Sequence, residues 1–217
     1  MTGFYGNYTK FLVSVDCIIF GFTEGKLQLL IQKRPYDPGK GMLSLIGGFV
    51  KKNESIDSAA MRVLTQFTGL KNVFMQQLGA FGEVERDPGE RVISVVYYAL
   101  INVAEYDVFM SNSHGARWVD INNIPKLCFD HNAMVNYARI ELQQYLFDKS
   151  VCKNLLPEYF TLTQLQTLHE AILGTTIDKR NFRRSIAEKN FATKTELIDK
   201  TTSRRGAYLY KFEDNQD

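Results

Sequence analysis

Cysteine is scarce in this chain, and the little there is does not pair up. Cys17, Cys128 and Cys152 are odd in number, widely spaced and contain no Cys-x-x-Cys. That argues against both a disulfide framework and a zinc site; buried, inert thiols are the expectation. Long apolar runs are missing too. The longest, Val13 to Phe22, is interrupted by Ser14 and Asp16 and is too short to span a bilayer. No basic-then-apolar leader opens the sequence, so a cytoplasmic protein with no membrane partner is expected. Internal repeats and low-complexity segments are absent. Net charge is almost absent as well, at +2 over 217 residues. What remains is an ordinary globular composition, 45% hydrophobic and 23% charged, enough for one large domain or for one medium and one small domain with real cores.

The near-zero net charge hides an asymmetry. Residues 1–150 hold 15 basic and 15 acidic side chains, whereas residues 179–211 hold ten Lys/Arg against three acids, a net +7. A basic block on a neutral body implies a polyanionic partner for the C-terminal part. Its alternative is a solvated charged surface.

The periodicity divides the chain in the same place. Phe11–Phe22 and Lys26–Lys33 read as two strands joined by a turn at Glu24-Gly25. A Pro/Gly-rich loop, 35–41, leads to Met42–Ile46 and to Gly47-Gly48. Ile56, Ala59, Ala60, Val63, Leu64 and Phe67 then share one helix face, with Asn53 as expected N-cap and Gly69 as stop. Strands return at Val73–Phe81, Val92–Val103 and Trp118-Val119, and a helix is expected over Asn132–Phe147. After Asp148 two short helices, Leu162–Leu173 and Asp178–Lys189, flank Gly174-Thr175-Thr176 and precede a hairpin over Thr193–Phe212. That order is a winged helix-turn-helix. The expected division is a first domain at 1–150 and a second at 151–217.

Loop, helix and glycines between residues 48 and 70 resemble the Nudix hydrolase signature, G-x5-E-x7-R-E-U-x-E-E-x-G-U with U apolar. Gly48, Glu54, Arg62, Leu64, Gly69 and Leu70 match at the right spacing, six fixed positions over 23 residues. Met42–Val50 is similar to a flanking stretch of that family, and Leu78–Tyr98 to a stretch of its ADP-ribose branch. The departures decide the chemistry. The family's three helix glutamates fall at positions 63, 66 and 67, where this chain has Val63, Gln66 and Phe67. Spacings of three and four place them on one face. In active members that face supplies carboxylates to Mg²⁺, a hard ion that wants oxygen ligands. Losing roughly 5 kcal/mol of transition-state stabilisation slows a reaction by over three decades. No catalytic residue, metal ligand or cofactor is therefore expected. Glu54 and Arg62 are left to pair and hold the loop to the helix. The enzyme alternative, a Mg²⁺-dependent pyrophosphohydrolase acting on ADP-ribose or a related nucleotide, needs carboxylates from Glu83, Glu85, Asp87 or Glu90 instead.

In the second helix Phe182 and Ile186 are four apart and should face inward, with Arg180 and Arg184 opposite and Asn181 and Arg183 on the flanks. Arg can read guanine and Asn adenine in a major groove, and Lys179 suits a phosphate. Asp178 complements the helix dipole. Thr202, Ser203, Arg204 and Arg205 would act from the hairpin tip. A dimerisation module or an RNA-binding appendage is the competing reading. Leu162-Thr-Gln-Leu-Gln-x-Leu, the basic helix and Arg-Gly-Ala-Tyr-Leu-Tyr at 205–210 resemble the tail of the Nudix-related transcriptional regulators, and the resemblance spans nearly the whole chain. It implies an α+β protein, a Nudix-like α/β/α sandwich followed by a winged helix-turn-helix. It further implies a ligand-responsive repressor that binds double-stranded operator DNA as a homodimer. One branch of that family senses ADP-ribose; the match looks closest to the branch that senses L-arabinose. Lys33, Arg34, Phe81, Glu83, Arg86, Asp87, Arg91 and Trp118 are the candidate effector-cleft residues. The polar loop among them carries both signs, Glu83, Glu85, Asp87 and Glu90 against Arg86 and Arg91, which favours a neutral polyol over a pyrophosphate. A protein-binding scaffold without a DNA role is the remaining alternative.

Overall fold

The computed structural model describes residues 4–71, 73–103, 116–201 and 206–213. Its first layer is organised around one strand, β1 (Leu12–Thr23), which turns back into β2 (Lys26–Lys33). Glu24 and Gly25 both take positive φ, +49° and +74°. That left-handed pair is the turn whose twist matches a two-residue hairpin.

Alternation along β1 decides the rest. Val15, Cys17 and Ile19 point into a core with Ala59, Ala60, Val63 and Leu64 of α1 (Ile56–Thr68). Ile18, Phe20 and Phe22 point the other way, into a core with Met134, Val135, Ala138 and Leu142 of α2 (His131–Gln144). A strand with both faces covered is apolar almost throughout, as β1 is, and the result is the expected three-layer sandwich. β3 (Leu43–Ser44) pairs with β2, and β4 (Ile46–Phe49) with β1. β6 (Val92–Asn102) runs parallel to β1 along residues 12–22, β5 (Phe74–Phe81) flanks it, and β7 (Arg117–Asp120) pairs with β2. On its other edge β1 meets β4 along residues 14–17 but β2 along residues 20–23. The sheet therefore forks there.

α1 starts two residues later than expected. Its N-cap is Ser55, whose hydroxyl accepts from the Ser58 amide, not Asn53. Asn53 sits in a turn closed by Glu54, whose carboxylate takes the Lys51 amide at 2.8 Å. Gly69 ends the helix as expected.

The C-terminal unit consists of α3 (Lys149–Leu155), β8 (Phe160–Thr161), α4 (Leu162–Leu173), α5 (Lys179–Glu188), β9 (Thr193–Asp199) and β10 (Ala207–Lys211). Its sheet runs β8-β10-β9. The expected boundary at 150/151 falls inside α3, which packs on β6, while α4 packs on β2. One buried cluster runs unbroken from Phe20 and Leu29 through Leu142 to Leu168, Phe182 and Phe191. Among the described residues no helix is long and apolar enough to cross a membrane.

His169 lies at the centre of this unit, 1% exposed, edge-on to Phe147, Phe182 and Phe191. Its Nε2 is 3.7 Å from Cys152 Sγ, and its Nδ1 meets no hydrogen-bond partner among the described residues. Burial, helped by Lys189, pushes its pKa down to about 4. The unfolded chain thus takes up the proton first, near pH 6.5. Stability is fully present above about pH 6.5 and is lost as pH falls toward about 4, by roughly 3 kcal/mol in all. Urea unfolding between about pH 7.5 and 4.5 should show this acid limb in the wild type and a flatter one in His169→Phe. Two parallel limbs would assign the loss to other groups.

Candidate functional site: a closed polar cleft and an open basic helix

Beside the fork lies a small cleft of about 40 Å³, lined by Ser14, Asp16, Gln32, Arg34, Tyr36, Gly47, Phe49, Arg86, Asp87, Phe129 and His131, among others. Asp16, the acid that interrupts the apolar run, is 7% exposed and accepts from Ser94 Oγ. It also explains Gly47 on the paired strand. A Cβ there would lie 2.3 Å from Asp16 Oδ1 and 2.9 Å from the Val15 carbonyl, so no side chain fits.

Arg86 reaches in from the loop 82–91. Its guanidinium donates to both oxygens of Asp130, at 2.9 and 2.8 Å, and lies 3.8 Å from Asp16. Burial works against the charge, but the Asp130 bonds and the Asp130, Asp16 and Asp87 carboxylates outweigh it and hold Arg86 protonated. His131 is pulled the other way. Burial lowers its pKa, with Asp16 and Asp130 opposing, so it is neutral. Its Nδ1 accepts the Leu45 amide at 3.0 Å, which places its proton on Nε2, 3.8 Å from Asp16. Arg34 donates through Nε to the Pro38 carbonyl and stacks against Tyr36 and Phe129, with its guanidinium carbon 4.8 and 5.0 Å from the ring centres. The cleft thus offers one cationic plane with aromatic flanks beside a buried, self-paired carboxylate–arginine group.

Of the expected cleft residues, Arg34, Arg86 and Asp87 line it. Lys33 is exposed and alternates with Gln32, so it points away. Glu83 is exposed; its carbonyl accepts from Arg91, which stacks over Phe11. Phe81 packs edge-on to Tyr137, and Trp118 packs into the α1-side core against Gly21. Asp16, Asp130, His131, Tyr36 and Phe129 were not expected.

The face of α1 carries no metal-ligand set. Val63 is 1% exposed in the core, Phe67 packs against it, and Gln66 lies outside. Both Glu54 oxygens are taken by Arg62, at 2.6 and 2.8 Å, as expected for a loop clamp. Arg62 also grips the Phe49 carbonyl and holds Glu54 ionised, its pKa lowered to about 2. Among the described residues no group of three His, Cys, Asp or Glu could hold a metal. These residues do not fit the Mg²⁺ centre of the active family. All three cysteines are buried and free; burial pushes Cys128 up to about 11 and Cys152 to about 12.

The second surface is α5. α4 opens with a Thr161/Gln164 capping box. The turn after it is held by Glu170, which accepts the Ile177 amide, and by Gln166, which donates to the Ile177 carbonyl. Asp178 then caps α5 through the Asn181 amide at 2.8 Å, a direct bond beyond the dipole effect. Phe182 and Ile186 are buried; Lys179, Arg180, Asn181, Arg183 and Arg184 are all exposed. Lys179 and Arg183 turn toward a concavity shared with Thr163, Tyr208 and Tyr210, while Arg184 makes only a loose 3.8 Å contact with Glu188. Thr202, Ser203, Arg204 and Arg205 lie outside the described residues.

A Nudix sandwich with its metal face filled by apolar groups, continuous with a winged helix that exposes a cationic second helix, defines a regulator-like class. Residues 10–137 match the NUDIX domain and residues 153–212 the NrtR DNA-binding winged helix domain. Over 210 residues the chain is 33% identical to the ADPR responsive transcriptional repressor NtrR of Acinetobacter baylyi, covering 95% of this chain and 84% of that protein. It is 35% identical over 136 residues to an ADP-ribose pyrophosphatase of Methanocaldococcus jannaschii, covering 62% of this chain and 78% of that enzyme. Shewanella oneidensis NrtR complexed with a 27mer DNA superposes with a TM-score of 0.81 at 28% identity, covering 93% of each chain. The NUDIX domain of that protein complexed with ADP ribose gives 0.55 at 26% identity, covering 62% of this chain and 90% of that one. The chain belongs to the NrtR-type family of Nudix-domain transcriptional regulators.

Proposed function

We propose that this protein is a repressor that binds operator DNA as a homodimer through residues 151–217 and releases it when ADP-ribose occupies the cleft of residues 1–150, without turnover. The exposed cationic α5, backed by Phe182 and Ile186, carries the DNA part: charge outward and anchors inward suit a major groove. Arg180, Asn181, Arg183 and Arg184 are its readers and Lys179 its phosphate contact, with Thr202, Ser203, Arg204 and Arg205 adding contacts from the segment between β9 and β10. Two half-sites need two readers, hence the dimer.

ADP-ribose is favoured over L-arabinose on two counts. Relatives that match this chain are named for ADP-ribose, whereas only the mixed charge of the loop favours the sugar. That mixture resolves within the cleft. Arg86, paired here with Asp130 and Asp16, and Arg34, flanked by Tyr36 and Phe129, together supply two cations to meet a diphosphate and aromatic rings to meet a base. Hydrolysis is disfavoured because the position-63 carboxylate of active members is replaced by a buried valine and Glu54 is committed to Arg62.

Fluorescence anisotropy on duplex DNA from upstream of the gene, against scrambled DNA at two salt concentrations, tests the reading. Specific binding should be at least roughly a thousandfold tighter and salt-sensitive. ADP-ribose should release the duplex equally with Mg²⁺ or EDTA present and be recovered intact; arabinose should do nothing. Release by arabinose alone would transfer the effector role, and Mg²⁺-dependent consumption of ADP-ribose would restore the enzyme.

A further inference from the structure

α2 touches both functional surfaces, one at each end. Asp130 occupies its N-cap position, where a carboxylate normally accepts from the first-turn amides. Here it makes no such bond. Both of its oxygens are given to Arg86 of the cleft loop instead. The next residue, His131, is tied to the cleft wall through the Leu45 amide.

At the other end Gln143 Nε2 donates to the Ile172 carbonyl at 3.0 Å. Ile172 lies in the last turn of α4, where carbonyls have no intrahelical amide. Immediately beyond come Gly174, the turn held by Glu170 and Gln166, and α5. α4, the turn and α5 are therefore one block, and Gln143 fastens α2 to it beside the shared apolar contacts of Leu142, Leu168 and Ile172.

Building on the effector-released repressor reading above, we propose that α2 transmits cleft occupancy to the DNA-reading helix, with Asp130 and Gln143 as its positioning residues. In the arrangement observed, the Asp130 carboxylate is turned onto Arg86 and makes no bond to the α2 amides. An anionic effector that draws Arg86 away frees Asp130 to turn onto those amides. α2 settles differently in the two arrangements, and Gln143 passes the difference to the end of α4, from which the turn leads into α5. The effector acts because it interacts differently with the two arrangements, which is the thermodynamic requirement for coupling.

The experiment measures coupling in the full chain: duplex affinity with and without saturating ADP-ribose, and ADP-ribose affinity with and without duplex. The two ratios must agree, and coupling of this kind is typically roughly 5–150-fold. Gln143→Glu keeps the shape but has no donor. It should leave each ligand's own affinity unchanged while the coupling ratio falls toward one. Gln143→Lys, which restores a donor, should restore the ratio. Asp130→Asn can still cap but cannot ion-pair with Arg86, so ADP-ribose should bind it more tightly and DNA more weakly. A wild type whose DNA binding ignores ADP-ribose removes the effector reading itself. A wild type that responds, alongside a Gln143→Glu variant that responds equally or merely loses both affinities, overturns this inference alone.

Discussion

Val63→Glu is expected to lower stability by about 3–5 kcal/mol at neutral to alkaline pH, the range for an uncompensated buried charge. Val63 is 1% exposed and packs with Val15, Cys17, Ile19 and Leu64. A carboxylate placed there is stripped of water, so its folded-state pKa rises above the unfolded value of about 4.3. The sign follows: the unfolded chain releases the proton first, so the deficit opens above about pH 4.3 and grows with pH until the raised folded value is passed. Urea unfolding at about pH 8 and again near pH 4.5 should show a large deficit at the first and a smaller, packing-only deficit at the second. Gln66→Glu, on the exposed side of the same helix, should stay within about 0.5 kcal/mol at both. An equal deficit at the two pH values would mean that the new carboxylate reaches water. The matter bears on function, because the carboxylate set of the active family cannot be regained here by one exchange. The α1-side core is packed around a valine.

Local signals explain which parts of this architecture could be read in advance. The turn at Glu24-Gly25, the helix stop at Gly69 and the inward pair Phe182/Ile186 each rest on residues a few positions apart, and the structure has them where the spacing put them. The Glu54–Arg62 clamp was legible for the same reason. The cleft was not, because its bonds join residues 44, 78 and 86 positions apart. One signal was available: Asp16, a lone acid in an apolar strand, ahead of a Gly-Gly pair. It registered only as an interruption. Trp118 and Phe81, expected in the cleft, lie elsewhere: β7 lies against β2, the indole fills the space that Gly21 leaves open, and Phe81 packs on Tyr137. Asn53 failed as a cap because Glu54 turns the chain back on Lys51 first. The helix at 149–155 carries too short an apolar pattern to stand out, and its stability comes from packing on β6.

Replacing Arg180, Arg183 and Arg184 together by alanine is expected to erase the preference for operator over scrambled DNA, a loss of roughly 10³-fold or more. The three guanidinium groups are exposed on a helix whose buried residues, Phe182 and Ile186, are untouched by the change. Alanine also favours the helix, so folding should survive, and a melting curve matching the wild type would confirm it. Lys179→Ala provides the contrast. Lys179 stands at the first position of α5, where Asp178 caps the helix, and it faces the concavity toward Thr163 and Tyr208. A phosphate partner there adds affinity without reading sequence. Its loss should weaken both duplexes alike and lower the slope of log affinity against log salt by about one. Anisotropy titrations at several salt concentrations separate the two outcomes. If the triple variant keeps its preference while losing only salt-dependent affinity, then α5 grips the backbone and sequence is read elsewhere, with Arg204 and Arg205 the next to exchange. If Lys179→Ala instead loses discrimination, Lys179 reads bases and the roles within α5 are reversed.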